Sequence, residues 1–301
     1  MFDPVVLAQI GWTSFATSSC YVLFALAFAL TLKVSRVWNF AQAAVTGAAF
    51  YGMYAAMLRW NWPPAAGFAF GLAIAVAMSA GMEIWGFRLF RRQRSSALNV
   101  FIFTIVFAEF VAYLLTLIFG TEPQALTRSI MSDVHMVGGV AVSDWDLRAL
   151  GLTALLCAAL FAFLRHTRQG QFMQAVADNG ELAELYGISA NRACLAAFLI
   201  AAALVCCGAW LYGTRASMIP ATPLELMIAA VIATILGGIG SLHGAAISAV
   251  FLSLLQSASV LVIPSQWQGS LVYFVLFAVI LLFPTGLRLP ARLRWNISTR
   301  S

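Results

Sequence analysis

Charge is what this sequence has least of. Of its 301 residues only 9% are Asp, Glu, Lys or Arg, while 62% are hydrophobic; a soluble domain carries about 25% charged residues. So little charge cannot clothe a water-facing surface, so most of the surface must face lipid. Lysine is nearly missing, with Lys33 the single example. There is no Gly-x4-Gly-Lys-Ser/Thr run, which excludes a phosphate loop of that kind. The net charge of +6 comes from basic residues at the ends of apolar segments. That placement excludes a nucleic-acid face. Cys20, Cys157, Cys194, Cys206 and Cys207 lie in or beside apolar runs with no metal spacing, which fits packing. His135, His166 and His243 are scattered, so a membrane enzyme with clustered catalytic groups at one depth is disfavoured. No basic stretch precedes the first apolar run, so that run is expected to remain as a span.

What is present is a series of apolar segments. A helix needs about 20 residues to cross roughly 30 Å of hydrocarbon. Val5–Leu32, Val37–Leu58, Trp60–Met82, Ala97–Phe119, Leu147–Leu164 and Ala193–Thr214 each satisfy this, the shortest of them barely. Residues 226–287 then run without Asp, Glu, Lys or Arg, enough for three crossings, with breaks at "GGIGSLHG" and "PSQWQGS". The expected fold is an all-α polytopic bundle of about eight or nine transmembrane helices, some broken or re-entrant, forming one domain over 1–301. With the N-terminus outside and the C-terminus inside, 13 basic residues fall inside and four outside, as the positive-inside rule asks.

Two loops are long. The outer one, 120–146, contains "HMVGGVAV", a candidate hairpin; it is either a solvated connector or a docking ledge. The inner one, 165–192, has an amphipathic middle: Phe172, Val176, Leu182, Leu185 and Ile188 against Asp178, Glu181 and Glu184. Gly180 and Gly187 punctuate it, Gly187 as a helix stop. A surface helix between spans suits docking of a cytoplasmic partner.

Polar residues inside apolar segments mark candidate path positions. In "RVWNFAQAAVTGAAFYGMYAA", Asn39, Gln42 and Thr46 stand where an anchor would carry Leu. The two amides must bond to each other, to another helix, or to backbone freed by a break; a helix starting inside the bundle is expected. Ala44, Ala48, Gly52 and Ala56 form a small-residue seam suited to close packing. The glycines around Gly238, Gly240 and Ser241 imply either a broken helix in the bilayer or a tight turn between spans, with His243 in the break or at an interface. Glu109 is the one acid near a span centre, expected to face the bundle and bond to a neighbouring helix. Glu83 lies near the inner surface, within reach of Arg88 or water.

Four stretches carry a family resemblance. "WNFAQAAV", "RQGQF" with "AELYGIS", "LGGIGSLHGA" and "LLFPTGL" resemble, in order, motifs of the permeases of bacterial branched-chain amino acid ABC importers. The chain departs from the family at Gln42-Ala43-Ala44, where the family has His-Gly-Glu. The resemblance implies a multi-pass permease subunit of the bacterial inner membrane, similar to the first of two paralogous permeases. It implies as partners a second permease, two cytoplasmic ATPases and a periplasmic substrate-binding protein. No cofactor would be bound by this chain; ATP would be used by the partner subunits. The inner loop, with Gln174, Asp178, Glu181, Glu184, Leu185 and Gly187, would be the ATPase contact. The solute would be a branched-chain or related amino acid by default. An ion-coupled secondary transporter is the alternative, but it would want a second deep acid beside Glu109.

Overall fold

A computed structural model describes residues 4–127, 134–259 and Phe274. The described residues are almost wholly helical. Helix α1 (Pro4–Ser35) is followed by α2 (Gln42–Tyr54), which continues as a π-helical turn, Ala55–Arg59. Helix α3 (Pro64–Gly81) runs through a second π-helical turn, Met82–Phe87, into α4 (Arg88–Arg92). Then come α5 (Ala97–Phe119), the strands β1 (Val134–Val137) and β2 (Val140–Ser143), and α6 (Asp144–His166). Helices α7 (Arg168–Asp178), α8 (Gly180–Leu185), α9 (Ala190–Arg215), α10 (Thr222–Leu236) and α11 (Leu242–Ser259) complete the described residues.

Among the described residues, six helical stretches are long and apolar enough to cross a membrane: α1, α3 extended to Arg92, α5, α6, α9 and α11. Helix α10 is shorter, and α2 is shorter than the sequence suggests because residues 36–41 are not helical. The last expected crossing, with "PSQWQGS", "LLFPTGL" and Arg288 to Arg300, lies outside the described residues.

The bundle has two distinct ends. At one, the β1–β2 hairpin pairs antiparallel with Val137 opposite Val140, the hairpin legible in "HMVGGVAV". Its strand β2 meets the start of α1: the Gln9 side chain accepts from Ala141 N–H at 2.7 Å and donates back to Ala141 C=O at 3.1 Å. Helix α6 opens in a capping box, with Ser143 as cap and Asp146 reaching back, which satisfies two otherwise free donors. Asp146 also takes Trp12 Nε1–H at 3.0 Å and Arg215 at 3.1 Å, tying α1, α6 and α9 together. The opposite end carries α7 and α8.

Helix α1 is the spine. It is apolar on every side, which suits burial on every side, and Leu23 to Leu30 are essentially inaccessible. It packs against α6, α9, α10 and α11. Helices α2 and α3 pack closely: a β-carbon on Gly52 would collide with Ile74, and one on Gly71 with Met53. Gly52 from the expected seam thus faces α3, while Ala44 faces elsewhere.

Candidate functional site

The stretch that opens α2 is buried from its first residues. Asn39, Ala41 and Gln42 are all inaccessible although residues 36–41 are not helical, so the helix does start inside the bundle. Gln42 Nε2 donates to Thr31 Oγ1 at 3.1 Å and to Ala27 C=O at 3.3 Å. This pins the start of α2 to α1. The two amides do not bond to each other: Asn39 Oδ1 and Gln42 Oε1 are buried acceptors with no partner among the described residues. Each such orphan costs about 1–3 kcal/mol, and unpaired buried groups of this kind concentrate where a structure has work other than stability. Thr46 is fully buried and donates to Gln42 C=O at 2.8 Å, an internal helix bond.

One turn on, the same helix presents Ala43, Ala44 and Gly47 to a groove of about 240 Å3. Its other walls are α5, through Ala108 and Glu109 to Thr116, and the approach to α10 from Pro220 to Leu224. Glu109 is exposed, and it makes no hydrogen bond or ion pair with any described residue. The expected bond to a neighbouring helix is therefore not made among the described residues. The threonines of its own helix are engaged elsewhere: Thr104 donates to Trp38 C=O at 3.2 Å and to Phe101 C=O at 2.7 Å, and Thr116 donates to Ala112 C=O at 2.9 Å.

The glycine-rich segment lies elsewhere. Residues 237–241 form a tight turn between α10 and α11, at the end of the bundle shared with α7. Gly238 and Gly240 have φ of 90° and 91°, a region other residues enter only with strain. Gly237 and Gly244 back onto each other so closely that a β-carbon on either would overlap backbone of the other. Ser241 Oγ accepts from Gly244 N–H at 3.1 Å, capping α11. His243 stacks on Phe161 of α6, ring centroids 4.1 Å apart and planes 7° off parallel. Of the two readings open from sequence, the turn between helices with His243 at an interface is the one observed. These four residues do not join Glu109 in the groove.

The α7–α8 elbow is built for contact. Met173, Val176 and Ala183 turn inward. Gly170 leaves no room for a β-carbon against Phe163 and Leu164 of α6. Asn179 caps α8, its Oδ1 accepting from Leu182 N–H at 3.1 Å, and Gly187 ends it at φ 81°. Outward stand Phe172, Leu182, Leu185 and Tyr186, the last two 84% and 79% exposed, beside exposed Asp178, Glu181 and Glu184. Contiguous exposed apolar groups rimmed by charge mark an interaction surface. Gln174 is spent within the chain: its Nε2 donates to Leu164 C=O at 2.9 Å, folding α7 back onto α6.

Two braces hold this elbow to the bundle, and neither is visible in local sequence. Arg36 donates from Nη2 to the carbonyls of Ala177 and Asp178 at 3.1 Å each. It thereby caps α7 and joins it to the strand of chain leading into Asn39 and Gln42; a cation at a helix C-terminus is well placed. On the other side, Glu83 pairs with Arg91, and Arg91 Nη2 also donates to Asn191 Oδ1 at 3.1 Å, at the start of α9. Glu83 is only 2% exposed. Among the described residues its partner is Arg91 rather than Arg88, and it braces the second π-helical turn against α9.

The chain matches the family described as "Branched-chain amino acid transport system / permease component" over residues 12–284. It is 26% identical over 283 residues to the high-affinity branched-chain amino acid transport system permease protein LivH of Escherichia coli K12, covering 89% of this chain and 91% of that one. It is 28% identical over 166 residues to the corresponding permease BraD of Pseudomonas aeruginosa, 55% of this chain and 54% of the other. It is 32% identical over 148 residues to the autoinducer 2 import system permease protein LsrC of Enterobacter sp. strain 638, 44% and 43% of the two. With a match this long, six apolar helices long enough to span among the described residues and an exposed elbow at one end, the chain belongs to the branched-chain amino acid transport permease family and is a multi-pass inner-membrane permease subunit of an ABC importer.

Proposed function

We propose that the elbow Arg168–Leu185 is the surface on which a cytoplasmic ATPase acts, and that this chain is a passive half-gate for a branched-chain or related amino acid. The observation that carries this reading is the exposed patch of Phe172, Leu182, Leu185 and Tyr186, braced to the bundle by Arg36 and by the Glu83–Arg91–Asn191 chain. A push on the elbow is delivered through those braces to α2 and α3. In this arrangement the N-terminus and the hairpin end lie outside, where a periplasmic substrate-binding protein docks. A second permease subunit covers α5, and the six longer spans with α2, α10 and one further crossing give nine. ATP is bound and hydrolysed by the partner subunits, and its binding favours one packing of the spans over the other.

The test is reconstitution with the ATPase and substrate-binding partners in proteoliposomes, comparing wild type with Leu185→Asp and Tyr186→Asp. We expect ATP-dependent uptake to fall at least tenfold and the ATPase to be lost on co-purification, with the folded yield of the permease unchanged. Wild-type ATPase retention with normal uptake would overturn the elbow assignment. Uptake driven by a proton or sodium gradient without ATP would overturn the half-gate itself.

A further inference from the structure

We infer that Glu109 is the counter-ion for an amine-bearing solute, and that the groove between α2, α5 and the approach to α10 is one half of its binding site. The inference deepens the permease reading and rests on it. Glu109 lies about 18 Å along α5 from Ala97 and about 15 Å from Phe119, at about 1.5 Å per residue, and so near mid-membrane. A carboxylate at that depth costs about 2.5–3.5 kcal/mol when nothing compensates it. It has no partner among the described residues and opens into a cavity of about 240 Å3.

No fixed cation among the described residues lies at that depth. Every described Lys and Arg sits at or beyond the end of a helix: Lys33 and Arg36 at one, Arg59 at another, Arg88 to Arg94, Arg148, Arg165, Arg168, Arg192 and Arg215 at the rest. The described residues of a second copy would thus bring no basic side chain to this depth. A diffusible cation fits the open groove. Apart from Glu109, the side chains around the cavity offer only the hydroxyls of Tyr113 and Thr116; the rest is alanine methyl, proline ring and leucine. A calcium ion takes six to eight oxygen ligands, more than these side chains supply. An ammonium on a short apolar body matches the single carboxylate and the methyl-lined wall together, and the volume lies below the roughly 300–1,000 Å3 of drug-sized sites.

The experiment uses the complete transporter, with Ala112→Cys in the groove wall as reporter. Its alkylation is followed by mass spectrometry, peptide by peptide, so that the native cysteines do not interfere. L-leucinol, which has the amine but no carboxylate, should slow labelling at least threefold at millimolar concentration. 4-Methylpentanoate, with the carboxylate but no amine, should not. Protection should vanish in the added Glu109→Gln variant and survive in Glu109→Asp. No protection, equal protection by the deaminated compound, or protection that persists in Glu109→Gln would overturn the inference. So would loss of the second permease subunit from Glu109→Gln on purification, which would make the carboxylate a subunit contact. Wild-type uptake that needs no ATP would instead overturn the permease reading and leave the labelling result to stand by itself.

Discussion

Helices α1 and α5 are both long and apolar, yet they live in opposite surroundings. In α1, 83% of the most apolar stretch is buried within the chain, against 17% in α5. Side-chain size separates them better than hydropathy does. The buried middle of α1 is built from Ala16, Cys20, Ala25, Ala27 and Ala29 between larger groups, and small residues let neighbouring backbones come close. On α5 the bulky Leu98, Ile102, Val106, Phe110, Tyr113 and Leu117 recur three or four apart and all face outward, leaving Thr104 and Ala108 among the few inward ones. The polar residues differ likewise. In α1, Ser18 and Thr31 donate to carbonyls of their own helix, at 2.6 Å to Phe15 and 3.0 Å to Phe28, as hydroxyls in a membrane helix can. Glu109 on α5 has no such outlet. One helix holds the chain together; the other is shaped for what lies beyond it.

The sharpest way to break that comparison is to truncate one large side chain in each. Phe24 is fully buried, its ring against the α9 backbone at Gly208. Phe24→Ala should cost about 3–5 kcal/mol, read as a large fall in thermal unfolding temperature in detergent. Leu117→Ala on the open face should change the isolated chain by no more than about 0.5 kcal/mol, while weakening co-purification of a second permease. Equal losses in the isolated chain would show that α5 is as enclosed as α1.

A smaller effect is expected where polar groups are buried as a pair. Glu83→Leu leaves Arg91 facing the α3–α9 contact without its carboxylate. With Arg91 about a quarter exposed, the loss should be about 2 kcal/mol rather than the larger figure for a fully enclosed pair. Adding Arg91→Met should restore most of it, since an apolar pair of similar volume can replace a buried ion pair. A double variant as unstable as the single one would mean that the Asn191 contact matters more than the ion pair. Smaller again is Gln42→Leu, which deletes the bonds to Thr31 and Ala27 but also deletes an orphan acceptor. A net loss of about 1 kcal/mol, seen as the same thermal shift in miniature, would fit; a loss above about 3 kcal/mol would mean that the amide is a true keystone between α1 and α2.

Six of the expected spans were legible among the described residues because length and hydropathy suffice to find them, whereas α2 and α10 are shorter than their apolar runs suggest. The elbow was legible too: Gly187 and the alternation of Asp178, Glu181 and Glu184 with apolar residues are local signals. The braces were not. Arg36 lies 141 residues from Ala177, Arg91 lies 100 from Asn191, and Trp12 lies 134 from Asp146, and no periodicity carries information across such gaps. Glu83 was misassigned to Arg88 for the same reason: eight residues ahead on an ordinary helix, Arg91 is two turns away, and an intervening π-helical turn changes which face it shares. Glu109 was recognised as unusual, but its orientation was not, because a helix this apolar has no polar side to declare which face is covered.

A change at the surface tests whether the elbow is a rigid lever. Gly187 holds φ at 81° with no neighbour within 4 Å of where a β-carbon would stand. Gly187→Ala therefore meets no steric obstacle and pays only the left-handed backbone cost, about 1–2 kcal/mol at that one residue. Global stability should move little, since the turn is at the surface. If the elbow works by holding α8 at a fixed angle to α9, ATP-dependent uptake should drop a few-fold while ATPase binding persists, because the docked partner now pushes on a loosened joint. If uptake is unchanged, the angle after Leu185 is immaterial, and force must pass through Arg36 and the start of α2 alone. Arg36→Gln would then be the more damaging of the two changes, which a side-by-side uptake measurement decides.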